Sequence, residues 1–204
     1  MKLALRYLSL ILAVLLPLKV SAQSQTLLDK LNDAFASHCV EMDCTYSIQT
    51  GGIASKGECK VSIQGTSYVM RGNGLEIFCD GKSVWVLDSA AMEAVVEPVT
   101  DDSFSYMTNP ALLFRDMDKL FAVSSASASA SGTRYQLKAV TSCGIKNAVL
   151  HIASNAALRD AEFTLDDDGV IRINVLSQKS LPVKDTDSFL PSTLSEDWVV
   201  TDFR

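Results

Sequence analysis

Near the start of the chain the apolar residues recur at helical spacing. In residues 26–38, Leu27, Leu28, Leu31, Ala34, Phe35 and His38 fall on one stripe. Thr26 with Asp29 resembles a capping arrangement, so the pattern predicts an amphipathic helix with one face to bury. From Cys44 to Val96 the period becomes that of strands, in segments near 44–50, 58–64, 66–72, 74–79, 82–88 and 93–97, separated by Gly-rich or polar breaks such as Gly51-Gly52. Asp80-Gly81 between two apolar runs predicts a two-residue type I′ turn, which needs positive φ at both central positions. With that turn, Ile77 faces Val84 and Leu75 faces Val86 on one side of a hairpin, while Phe78, Trp85 and Leu87 populate the other. Neither side is polar. An antiparallel sheet with one wet face alternates apolar and polar positions, so this hairpin is expected to be covered on both faces or to border an internal cavity.

Asn109-Pro110 predicts the start of a second helix, with Asn as the cap and Pro at the first helical position. Leu113, Met117 and Leu120 share a stripe, with Leu112 and Phe121 beside it, whereas Arg115, Asp116, Asp118 and Lys119 face away. The Ser/Ala stretch from Ser124 to Gly132 has little apolar bulk and reads as a flexible surface loop. Strands resume at 133–141 and 146–152. Ala161, Phe163 and Leu165 then alternate with polar residues, and beyond Asp167-Asp168-Gly169 so do Ile171, Ile173 and Val175, which predicts a second hairpin. The tail, with Pro182, Pro191 and Trp198-Val199-Val200, reads as a loop and a short terminal strand. About ten strands and two or three amphipathic helices make a mainly β (α+β) chain. Many antiparallel strands favour a curved sheet or barrel with helices capping an opening.

The ends refine this picture. Lys2 and Arg6 precede an apolar run from Tyr7 to Leu18, the length of a signal-peptide core and shorter than the roughly 20 residues of a spanning helix. Val20-Ser21-Ala22 provides small residues for cleavage, so residues 1–22 are expected to be removed and residues 23–204 to form a single domain that is soluble after export. No cysteine follows the cut, so the acceptor of a lipoprotein anchor is missing there. Cleavage takes away Lys2, Arg6 and Lys19 but no acid, and the formal charge goes from −6 to −9. Such a balance argues against nucleic acid, whose phosphates require clustered Lys and Arg. Cys39, Cys44, Cys59, Cys79 and Cys143 would all meet an oxidising compartment. Five is odd, so at least one remains unpaired, and the expectation is one or two structural disulfides plus buried thiol, with connectivity open.

Little catalytic chemistry is present. His38 and His151 are the two histidines, and structural roles account for both. The chain has no Gly-x-Ser-x-Gly elbow, phosphate-cradling glycine loop or His-Glu-x-x-His. Asp166-Asp167-Asp168-Gly169 lacks the downstream Glu of a calcium loop and reads as turn chemistry. No metal and no cofactor is expected, and no enzymatic activity. An exported thiol enzyme would need Cys143 beside His38 or His151, and nothing in the sequence brings them together.

In its order of segments the chain resembles the family of the periplasmic lipoprotein carrier LolA. The most telling block is Cys79-Asp80-Gly81-Lys82-Ser83-Val84-Trp85-Val86-Leu87-Asp88, similar to the family's Asp-Gly-Lys-Thr-x-Trp hairpin. Asn109-Pro110-Ala111-Leu112-Leu113 sits where the family has a short Pro-initiated helix. Asp166-Asp167-Asp168-Gly169-Val170-Ile171 matches a late Asp-Gly-x-Ile hairpin, and Phe189-Leu190-Pro191 a closing segment. The resemblance implies an open, incomplete antiparallel β-barrel lidded by helices, and an apolar cavity that shelters the acyl chains of lipoproteins, or a related lipid, on the way to the outer membrane. It implies an inner-membrane release complex and an outer-membrane acceptor as partners; a monomer is expected. The family's lid-holding arginine falls at Gln64-Gly65-Thr66, so no clasp arginine carries over.

The candidate ligand wall is therefore Tyr68, Met70, Leu75, Ile77, Val84 and Val86, closed by Leu31, Phe35, Leu113 and Met117; the choice of hairpin face rests on the resemblance. A second reading is an exported β-domain with a filled core that binds a protein or glycan through its surface.

Overall fold

The computed structural model describes residues 27–100 and 105–204. The signal-peptide reading of residues 1–22 and the Thr26 cap lie outside them. Strand periodicity is realised as β1 (Cys39–Thr50), β2 (Ile53–Gln64), β3 (Ser67–Gly72), β4 (Leu75–Cys79), β5 (Ser83–Asp88) and β6 (Glu93–Pro98) in the first half. The second half adds β7 (Phe121–Ser129), β8 (Gly132–Ala139), β9 (Ile145–Ala153), β10 (Leu158–Leu165), β11 (Val170–Leu181) and β12 (Val199–Asp202). All twelve belong to one sheet in the order β12-β6-β5-β4-β3-β2-β1-β11-β10-β9-β8-β7. Every pairing is antiparallel except β12 with β6, which is parallel. β7 and β12 stand at opposite ends of that order, so the sheet is strongly curved but not closed into a barrel. Part of the curvature has a local cause. β1 and β11 slip register between Asp43 and Cys44, where Leu176 is the extra residue, and such a bulge bends its strand and increases the twist.

The helices lie on the concave side. α1 spans residues 27–37; α2 is Ser105–Thr108, α3 Pro110–Arg115 and α4 Met117–Leu120. The single helix expected from Asn109 to Phe121 is two short ones. Asn109 caps α3 as expected, accepting from the Ala111 and Leu112 amides at 3.0 and 3.1 Å. The break comes at Asp116, whose side chain is drawn to Arg115 and Lys119, and Phe121 already belongs to β7.

Two further expectations are corrected. Asp80-Gly81 does not make a two-residue turn: β4 and β5 pair with Cys79 opposite Val84, Ile77 opposite Val86 and Leu75 opposite Asp88. The Asp80 carboxylate accepts from the Lys82 and Ser83 amides, both at 2.8 Å, which draws two more residues into the loop. An even slip leaves every side chain on its expected face. Ser124–Ser129, expected as loop, belongs to the edge strand β7, paired with β8. The small side chains of this stretch need little cover; Phe121 at the start of β7 is buried in the core, and Val123 and Ala126 pack against it.

The hairpin with two apolar faces is covered on both. Tyr68, Cys79 and partly buried Ile77 and Val84 join the concave core together with Leu31, Phe35 and the lid. On the convex side Val69, Phe78, Leu87 and Ala94 pack around Phe189, which a short 3-10 turn, Thr186–Phe189, delivers from the irregular tail.

Candidate functional site: an apolar hollow under the helical lid

The concave face does not fill itself. Between sheet and lid lies a cavity of about 360 Å³, within the range of small-molecule sites. Its walls follow from strand parity. Met42, Cys44 and Ile48 alternate along β1, and their cross-strand partners on β2, Val61 and Cys59, face the same way. Met70 pairs with Ile77 across β3 and β4, and Leu75, 38% exposed, lies beyond them. The opposite wall comes from the second hairpin: Phe163 on β10, with Ile171, Ile173 and Val175 on β11. Leu113 and Phe114 of α3 form the roof. No charged side chain is among these lining residues, and Asn73 supplies an amide at the edge, donating to the Tyr46 hydroxyl.

The ten residues expected at the site divide into groups. Met70, Leu75, Ile77 and Leu113 line the hollow. Tyr68, Leu31, Phe35 and Met117 are buried in the surrounding core without lining it. Burial drives the Tyr68 phenol well above its ordinary pKa, so it stays a neutral packing group. Val84 packs at the margin of that core, and Val86, opposite Ile77, is half-buried outside the cavity. Phe35 has a supporting role: its ring stacks on Phe114 with centroids 4.0 Å apart and planes 12° from parallel. The Phe35 carbonyl accepts from the Gly65 amide at 3.0 Å, so the turn between β2 and β3 holds α1 through its main chain. The β1, β2 and β10–β11 walls were missed. Their signal was the 171–175 alternation, legible as a hairpin but not as a second wall until the strand order places β11 beside β1.

Fold and hollow together define a class: an open, curved antiparallel sheet whose concave side is roofed by short helices over an uncharged cavity. No family model and no curated protein matches the chain. Solved structures do. An uncharacterized conserved protein from Thermus thermophilus superposes with a TM-score of 0.56 at 11% identity, over 88% of this chain and 99% of that one. A LolA superfamily protein from Nitrosomonas europaea gives 0.45 at 11% identity, over 82% and 97%. A DUF1329 family protein from Desulfovibrio piger gives 0.49 at 11% identity, over 86% and 99%. The likeness to the Thermus thermophilus protein, at such low identity, is one of fold.

Proposed function

We propose that this chain is a non-enzymatic, exported carrier that takes acyl chains of lipoproteins, or of a related lipid, into the hollow beneath its lid and moves them towards the outer membrane. The observation that carries the reading is the chemistry of the cavity: apart from the paired Asn73 amide and Tyr46 hydroxyl, its lining is aliphatic, aromatic, thioether or thiol, with no carboxylate or cation to recognise a polar solute. An alkyl chain needs no polar recognition, since each buried CH₂ contributes about 0.8 kcal/mol. The resemblance of Cys79–Asp88 to the carrier family's hairpin points the same way. Delivery would involve a release complex at the inner membrane and an acceptor at the outer one.

Native mass spectrometry of gently purified protein should show co-purifying lipid, and the protein should take up a fluorescent fatty acid. Ile77→Glu or Ile173→Glu places a charge in the wall and should weaken that uptake by about tenfold or more. Lys138→Glu, on an exposed position of β8, should leave it unchanged. Clean lipid-free spectra and no uptake by the unaltered protein would overturn the reading in favour of a surface binder.

A further inference from the structure

The two-stranded wall of β1 and β2 carries a second feature. Register sets Cys44 directly opposite Cys59. Directly opposed residues of antiparallel strands have Cα atoms about 4.5–5.5 Å apart, inside the roughly 4.4–6.8 Å window of a disulfide. Both side chains point to the same face of the hairpin, where they line the cavity. Among the described residues no other two cysteines are brought opposite each other by strand pairing. All five are thiols in this structure.

We propose that Cys44 and Cys59 form a dithiol site that disulfide donors oxidise to a cross-strand bridge in the cavity wall, while Cys39, Cys79 and Cys143 remain thiols. The inference rests on register and access, not on what fills the hollow. Both residues also border a surface crevice of about 340 Å³, together with Asp43, Glu58, Lys60 and Arg71. Gly72 opens it, because a Cβ at that position would stand 3.0 Å from the Cys59 Cβ. Cys44 is 2% exposed and Cys59 is only partly buried, so Cys59 meets the donor first. The two thiols interact, which pulls the Cys59 pKa down and, together with burial, pushes that of Cys44 up. Cys59 is thereby the better thiolate and Cys44 the resolving thiol. The three other cysteines are 0–1% exposed. Burial pushes their pKa values up, that of Cys79 to about 11.

The chemistry balances. The Cys59 thiolate attacks one sulfur of a low-molecular-weight disulfide such as oxidised glutathione, the donor's S–S bond breaks, and one glutathione thiolate leaves. Cys44 gives up its proton and attacks the Cys59 sulfur, expelling the second glutathione thiolate. The protein loses two electrons and two protons, and the donor becomes two thiols. The bridge ties together the strands that carry Met42, Val61 and Ile63, fixing that side of the wall.

The test is a thiol map. Reduced, folded protein is incubated with oxidised glutathione, denatured with N-ethylmaleimide, digested and mapped by mass spectrometry. The expected result is one bridged Cys44–Cys59 peptide pair, with Cys39, Cys79 and Cys143 alkylated. Cys44→Ser should retain a glutathione adduct on Cys59, whereas Cys59→Ser should show little adduct on Cys44. A bridge between any other two cysteines, or five alkylated cysteines after oxidation, overturns the assignment. The unaltered protein's map decides this even if a variant does not fold. Because the map counts sulfurs and not ligand, its failure leaves the lipid reading standing, and absence of lipid leaves the pair standing.

Discussion

Asp116 holds the lid's two short helices at their junction. Its carboxylate, 5% exposed, accepts from Lys119 Nζ at 2.7 Å and from the Arg115 guanidinium, while its carbonyl receives the Lys119 and Leu120 amides, both at 2.9 Å. Burial alone would raise this carboxyl; the hydrogen bonds and charges of Arg115 and Lys119 outweigh it and hold the group below its ordinary value of 3.8. A carboxyl with a depressed folded pKa contributes stability that is complete above the unfolded pKa and lost as pH falls through the folded one. That contribution should therefore be intact at neutrality and decline below about pH 4. Asp116→Asn removes the charge at nearly constant shape and should cost about 1–2 kcal/mol at neutral pH, a figure kept low by the exposure of both cations. Urea unfolding of both proteins near neutrality and at about pH 3 checks this. The gap between them should narrow in acid; an unchanged gap would rule out the carboxylate's charge as its source.

Among the elements, the tail from Pro182 to Trp198 does for the convex face what the lid does for the concave one. The Gln64 amide donates to the Lys184 carbonyl at 2.9 Å and accepts its N–H at 2.8 Å, and Lys184 Nζ reaches Glu41 at 2.6 Å. These bonds set the tail down so that Phe189, 1% exposed, plugs the outer core. Phe189→Ala should cost about 3 kcal/mol or more in urea unfolding while leaving fatty-acid uptake unchanged, since the two cores lie on opposite faces of one sheet. Loss of uptake at equal folded fraction would mean the faces are not independent. This tail also shows where sequence reading stopped. Helix and hairpin patterns were legible because Leu31 and Phe35, or Ile171 and Ile173, repeat with a period. Phe189 stands alone in an irregular segment, so its burial had no periodic signal, and β7 from Ser124 onwards is built from Ser and Ala, whose bulk marks neither a core nor a strand. The register of β4 and β5 depended on one Asp80 side chain choosing the Lys82 and Ser83 amides. Met70, Leu75 and Ile77 line the hollow because parity along a strand survives such a slip, and Leu113 joins them from the periodic helix, whereas the walls from β1, β2 and β11 required the strand order.

For the whole molecule, the question is why a chain with so many apolar side chains leaves space among them. A sheet closed into a narrow barrel fills its interior with its own residues; this one stays open, with β7 and β12 at its ends and short helices packed on its concave face. Helices of four to six residues such as α2, α3 and α4 have little stability of their own, so their packing on the hollow decides their position, and a guest beneath them adds contacts that only the folded state has. Ligand binding must then appear as stability. At a free fatty-acid concentration near 100 Kd the folded state gains about 2.7 kcal/mol, and in a domain of this size each kcal/mol moves Tm by about 2–4 °C. Scanning calorimetry should thus show Tm rising by roughly 5–10 °C with a long-chain fatty acid and not with a short polar acid, which offers no alkyl tail to bury. Equal shifts with both acids would mean that binding takes place at the charged surface instead of in the cavity, and no shift with either would mean that the lid closes on its own side chains.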